Sequence, residues 1–285
     1  MSRSRSGATL GIACLAMAYA SGAGAQGKSA TPSAETQSIS ALVHRFFADS
    51  VLPDRGSMLT QRFDKLMDTT PPPGAILPRG GRVVIREISR DSASAVFETE
   101  TGPATRFADW YTYLVRDAGK WKIDNLRVFE LPPAHYLILD SLEVKKNLPD
   151  SIAFVRDRMR LSASSNAALK AHFAAHKAAI LKLASMFESH AAITGFDESG
   201  ATIPANALPE SDAKALSAAM HALDIGAALR KLDAPQCVRY KIGGVDETTV
   251  GYMHFGASCT KPVVGREDVM YMERVAPDWY VYRTG

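Results

Sequence analysis

Apolar residues first recur at helical spacing at Ile39, Leu42, Val43 and Phe46, with Ser38 or Ser40 placed to cap the helix. A second helix is predicted from about Met58, with Leu59, Phe63 and Leu66 turned inward, and it stops before Pro71-Pro72-Pro73-Gly74. The period then falls to two. Residues 82–88, 92–101, 105–116 and 120–130 are rich in Val, Ile, Phe, Tyr and Trp, and Arg90-Asp91, Gly102-Pro103 and Asp117-Ala118-Gly119 punctuate them. Two helices followed by a four-stranded antiparallel meander is the predicted plan, the helices covering one face of the sheet.

Leu131-Pro132-Pro133 closes this unit, and residues 132–148 read as a connecting helix. A helical stretch begins after Pro149, and a stronger one runs from about Asn166 to His190 with the stripe Leu169, Phe173, His176, Ile180, Leu183, Phe187 and His190. A Gly- and Pro-containing loop follows. Ser211 is expected to cap a helix with Leu216, Met220 and Leu223 inward. Four strand-like segments come last, at 237–242, 249–256, 268–275 and 279–285. The expected fold class is therefore α+β in two units, 36–131 and 149–285, each with helices before a four-stranded antiparallel meander. Both meanders end in a tight hairpin entering a Trp strand, at Trp121 and Trp279, which raises the idea of a duplicated plan without sustained sequence identity.

Residues 1–25 have a different character. Arg3 and Arg5 precede a Leu/Ile/Ala/Met stretch that ends in Ala23-Gly24-Ala25, the three parts of a secretory signal with cleavage expected near Ala25. Residues 26–35 are small and polar and read as a disordered leader. The expected location is periplasmic or secreted, with no membrane span after signal cleavage, because no other apolar run is long enough to cross a bilayer. The 285 residues are 46% hydrophobic and 22% charged, which excludes a disordered or collagen-like chain. The formal charge of +3 includes Arg3 and Arg5, so +1 remains without them, and nothing in it favours nucleic acid as a partner.

Of the three cysteines, Cys14 lies in the signal, leaving Cys237 and Cys259. They flank a predicted hairpin. A register centred on Thr248 sets them opposite each other, whereas a tighter turn centred on Val245 does not; in an oxidising compartment a disulfide between them is expected.

Candidate chemistry is sparse. Gly22 to Ser29 fits a phosphate-loop pattern, but it follows a signal's apolar region and not a buried strand. Ser211-Asp212-Ala213-Lys214 has S-x-x-K spacing without the partner motifs of that chemistry. His172 and His176 stand one helical turn apart, the spacing of two metal-binding imidazoles, yet no Glu completes the H-E-x-x-H signature; they are weak metal candidates, and no cofactor is expected. Asp109 shares a strand face with Phe107, Tyr111, Tyr113 and Val115. A carboxylate among aromatics is a candidate general acid or base, and pairing with Arg106 or a neighbouring strand's cation is the plainer account. The Tyr and Met residues of the last strands, such as Tyr252, Met253, Tyr280 and Tyr282, fit either a core face or a protein-binding face.

The helix, helix, strands order, together with Trp110-Tyr111-Thr112-Tyr113-Leu114 turning through Asp117-Ala118-Gly119-Lys120 into Trp121-Lys122-Ile123, resembles the closing hairpin of NTF2-like (cystatin-like α+β) domains over about residues 36–131. The resemblance implies a sheet curled around a helix to form a pocket, in a domain that serves as a binding module, a dimerisation unit or, less often, an isomerase or hydratase. It carries no catalytic motif. In such a pocket Asp109 and His44 would be the catalytic pair and Trp110, Tyr111 and Tyr113 the binding residues. The second half resembles only uncharacterised secreted bacterial proteins. The reading that follows is an exported, non-catalytic binding protein of the bacterial envelope holding a small apolar ligand or a protein partner, with a homodimer among its assemblies. The alternatives are a cofactor-independent hydratase, isomerase or hydrolase using Asp109, and an inhibitory or structural partner of an envelope protein.

Overall fold

The computed structural model describes residues 33–76, 83–101, 108–231, 234–245, 247–257, 259–265 and 268–285. The expected signal, most of the leader, Arg106 and Phe107 lie outside them. Helix α1 (Ala34–Ala48) starts earlier than its spacing predicts: Ser33, not Ser38 or Ser40, is the N-cap, accepting from the Thr36 amide at 3.1 Å. Its inward face is Ile39, Val43, Phe46 and Phe47. The predicted second helix is broken into α2 (Arg55–Met58) and α3 (Gln61–Leu66). The break comes at Leu59 and Thr60, where Leu59 bridges Ile123 and the Thr60 amide donates to the Ile123 carbonyl. Thr60 then caps α3, which resets the helical phase, so Phe63 and Met67 are buried while Leu66 is 63% exposed. A short helix, α4 (Pro73–Ile76), precedes the sheet.

The predicted meander is present. Strands β1 (Val83–Arg90), β2 (Ser94–Thr101), β3 (Ala108–Asp117) and β4 (Lys120–Phe129) pair antiparallel in chain order. Ala118 and Gly119, with φ of 48° and 79°, make the two-residue turn between β3 and β4 whose twist matches the strands. One face, with Ala95, Phe97, Leu114 and Ile123, packs on α1. The opposite face, with Val96, Tyr111, Tyr113 and Phe129, belongs to a larger core shared with the second half of the chain.

That half contains α5 (Pro133–Glu143), α6 (Asp150–Ser162), α7 (Asn166–Ser189) and α8 (Glu210–His221). Pro209, not Ser211, takes the N-cap position of α8; the Ser211 hydroxyl turns to the Asp212 carboxylate at 3.2 Å. The fold is α+β, but the second sheet has seven strands where a four-stranded meander is expected. These are β5 (Gly195–Asp197), β6 (Thr202–Ile203), β7 (Ala227–Lys231), β8 (Ala234–Val245), β9 (Thr248–Phe255), β10 (Val269–Ala276) and β11 (Trp279–Thr284). Their order is β10-β11-β9-β8-β7-β5-β6, all antiparallel. β5 and β6, of three and two residues, are too short to show a period of two. Strand β11 lies between β9 and β10, because the long connection from β9 crosses the outer face of the sheet before β10 begins. The two sheets therefore differ in topology. The inner face of the second sheet, with Tyr240, Tyr252, Val281 and Trp279, packs on Phe173, Ile180, Leu183 and Phe187 of α7. Tyr111 of β3 stacks on Tyr271 of β10 with centroids 5.4 Å apart, and the Tyr113 hydroxyl donates to the Met270 carbonyl at 2.6 Å, so one continuous core joins the sheets.

Candidate functional site

The face expected to line an open pocket is filled. Asp109 and Arg283 are each 1% exposed, with Oδ2 3.0 Å from Nη2. Arg283 lies over the Phe129 ring, 4.0 Å from its centroid, and donates from Nε to Asn166 Oδ1 at 2.7 Å and from Nη2 to the Ser164 carbonyl at 2.6 Å. Asn166 donates from Nδ2 to Tyr111 Oη at 2.7 Å and to Glu98 Oε1 at 2.5 Å. Glu98 is clasped by Arg86, whose Nη1 reaches Glu273 Oε2 at 2.7 Å. Glu273 also accepts from Lys170 Nζ at 2.9 Å and from the Tyr271 hydroxyl at 2.6 Å. Asp109, Glu98 and Glu273 thus alternate with Arg283, Arg86 and Lys170 across the junction of the two sheets. Burial pushes the Tyr111 phenol well up against the opposing pull of Arg283. For Glu273 burial alone would raise the carboxyl, but bonds from Tyr271, Lys170 and Arg86 together hold it below the usual range. This arrangement holds two layers together. Among the described residues it encloses Asp109 away from solvent.

The other predicted residues do not converge there. His44 is exposed on α1, which covers the face of the first sheet opposite Asp109. Trp110 also points to that side, its ring edge-on to Phe47 at 5.7 Å. Tyr111 and Tyr113 do lie on the Asp109 face, buried against β10.

On α7 it is His172, not the stripe residue His176, that meets the second sheet. Its Nδ1 is 2.8 Å from Tyr252 Oη, and that hydroxyl also lies 3.1 Å from the Leu169 carbonyl. His176 is exposed, its ring 4.6 Å from that of His172. Burial, and secondarily His176, lowers His172 to about 4. Among the described residues no group of three or more His, Cys, Asp or Glu is placed to hold a metal ion.

Cys237 and Cys259 are joined, with Cα atoms 5.6 Å apart. Strand register does not bring them together: Cys237 stands opposite Phe255, and Val245 opposite Thr248. The chain instead turns back after β9, the Cys259 amide donating to the Gly256 carbonyl at 3.0 Å. The bond pins the start of the crossing connection to β8. Beneath that connection Met253, Phe255, Tyr280 and Tyr282 form a cluster with Val264 and Met272, so much of the Tyr- and Met-rich outer face is core.

The disulfide also borders a cleft of about 610 Å³. Its apolar side is made by Leu229 of β7, Met253 and Phe255 of β9, and Pro262 and Val263 of the connection. Arg230 of β7, Arg239 of β8, Lys261 and Asp268 supply the charge. Arg239 stands in register with Leu229 on one side and Met253 on the other. Lys261 lies 4.8 Å from the Tyr280 ring centroid and donates to its hydroxyl. Leu229 and Val263 are 41% and 53% exposed. A volume of this size with an apolar body and few charges is the usual form of a small-molecule site. Alternation in 237–242 and 249–256 already places Arg239, Met253 and Phe255 on one face; the crossing connection that turns this face into a cleft leaves no periodic signal. Among the described residues no helix is long and apolar enough to cross a membrane. No family model, curated protein or solved structure matches the chain, so the site is read from its geometry alone.

Proposed function

We propose that this chain is an exported, non-catalytic binding protein of the bacterial envelope and that its ligand is a small molecule with an apolar body, held in the cleft beside the Cys237–Cys259 bond. The observation that carries this reading is the cleft itself: about 610 Å³, with Leu229 and Val263 on its walls exposed to solvent. Covering such side chains contributes roughly 25 cal/mol per Å² of apolar surface removed from water. Export is supported by the signal-like pattern of residues 1–25 and by a paired cysteine, which persists in an oxidising compartment. The unit resembling NTF2-like domains acts here as a support, since its Asp109 face is committed to the second sheet. An enzyme reading built on Asp109 gains nothing from a carboxylate enclosed with Arg283.

The test combines native mass spectrometry of the chain secreted by a bacterial host with thermal shifts against a panel of apolar small molecules. The expected result is a mature mass beginning near Gln26 and stabilisation by cleft ligands, about 2.7 kcal/mol at a hundredfold excess over Kd. Leu229→Trp, at an exposed wall of the cleft, should abolish the shift. A panel without any stabilising member, from a protein that carries no copurified molecule, would refute the reading.

A further inference from the structure

We infer that the ligand of this cleft carries an anionic head, anchored by Arg239 with Lys261 beside it; the inference rests on the binding reading above. Arg239 is exposed within the cleft lining, and among the described residues its side chain makes no ion pair or hydrogen bond. On either side of it across the sheet stand Leu229 and Met253. Of the apolar walls Leu229 and Val263 are the exposed ones, and a ligand that covers Leu229 meets the guanidinium beside it. A neutral apolar ligand would strip water from this cation and return nothing, whereas an anion replaces the lost hydration with charge-assisted hydrogen bonds. Lys261 is held at the same cleft by the Tyr280 hydroxyl and ring, so a second cation is positioned before any ligand arrives. Among the described lining residues one carboxylate, Asp268, stands against three cations, Arg230, Arg239 and Lys261. A guanidinium also matches the two oxygens of a carboxylate in a planar fork, which a lone ammonium does not.

The chemical class is therefore a single-chain amphiphile with a monoanionic head. Isothermal titration of the full, disulfide-bonded chain with decanoate, decan-1-ol and decyltrimethylammonium separates the contributions. Decanoate should bind about tenfold or more tightly than decan-1-ol, the effect of one charge-assisted bond, and the ammonium weakest of the three. Arg239→Gln should erase the preference for decanoate over decan-1-ol; because Arg239 is exposed, the variant should keep the parent's melting temperature, which is measured alongside. Equal affinity for decanoate and decan-1-ol in the parent chain would overturn the anionic-head inference while leaving an apolar binding site in place. A decanoate preference that survives Arg239→Gln would overturn the assignment to Arg239. Failure of all three probes to bind would overturn both this inference and the binding reading.

Discussion

Replacing Arg283 by Met tests what holds the two sheets together. Arg283 is 1% exposed and serves three acceptors: Asp109 Oδ2 at 3.0 Å, Asn166 Oδ1 at 2.7 Å and the Ser164 carbonyl at 2.6 Å. Methionine fills much of the same volume over the Phe129 ring but donates to none of them. Breaking a buried pair by removing one partner costs about 3–5 kcal/mol, because the remaining charge is left uncompensated in a dry site. A buried acceptor without its donor adds about 1–3 kcal/mol, so the variant should lose on the order of 5 kcal/mol, a sum comparable with the whole stability of many domains. The double variant Asp109→Leu with Arg283→Met also removes the carboxylate that faces Arg283 and should recover roughly 2 kcal/mol or more relative to Arg283→Met alone. Urea unfolding followed by circular dichroism, with the disulfide intact, reads both numbers. A loss below about 1 kcal/mol for Arg283→Met, or a double variant less stable than the single one, would refute the argument that Asp109 depends on this cation.

Other outcomes follow from the same geometry. His172, lowered to about 4 by burial and secondarily by His176, is neutral in the fold at a pH where the unfolded chain takes up a proton. Its contribution is therefore present above about pH 6.5 and is lost as pH falls from there toward 4; after allowance for solvent around a half-buried ring it amounts to roughly 1–2 kcal/mol. In His172→Gln the corresponding part of the pH dependence of urea stability should vanish, and an unchanged acid slope would count against the assignment. Reduction of Cys237–Cys259, which closes a loop with a sequence separation of 22, should cost about 3 kcal/mol in unfolding free energy. An identical urea midpoint with and without dithiothreitol would show that the bond stabilises nothing. Tyr113→Phe leaves the buried Met270 carbonyl without its 2.6 Å donor and should cost roughly 1–2 kcal/mol by thermal unfolding; a loss indistinguishable from zero would mean that water replaces the hydroxyl.

Local features were legible where one element's own spacing decides burial. Leu169, Phe173, Ile180, Leu183 and Phe187 form the inward stripe of α7, and β8, β9, β10 and β11 fall where alternation predicts them. Features set by long-range pairing were not. His176 fits the stripe by spacing, yet Tyr252 docks between the Leu169 carbonyl and His172 and draws the neighbouring imidazole inward instead. Asp109 reads as a pocket carboxylate because its cation lies on a strand that reaches it only after the whole second sheet forms. The cysteine pairing was legible in outcome but not in route, since a chain reversal after Gly256 and not the strand register brings Cys259 to Cys237. The cleft is the least legible feature, being built partly by a connection whose path depends on where β11 inserts.

The insertion of β11 also dictates an order of assembly. Strand β9 cannot acquire its second neighbour until residues 279–284 are available. The buried Asn166 waits on the same segment, across 117 positions of chain. Pairings this distant in sequence bring loop-closure entropy due before the contacts that offset it, which slows folding. Until those residues pair, Trp279 and Val281 are missing from the face that covers α7, where Tyr240 of β8 and Tyr252 of β9 also pack. The core between the sheets is therefore complete only when β11 pairs with β9 and Arg283 reaches Asp109 and Asn166.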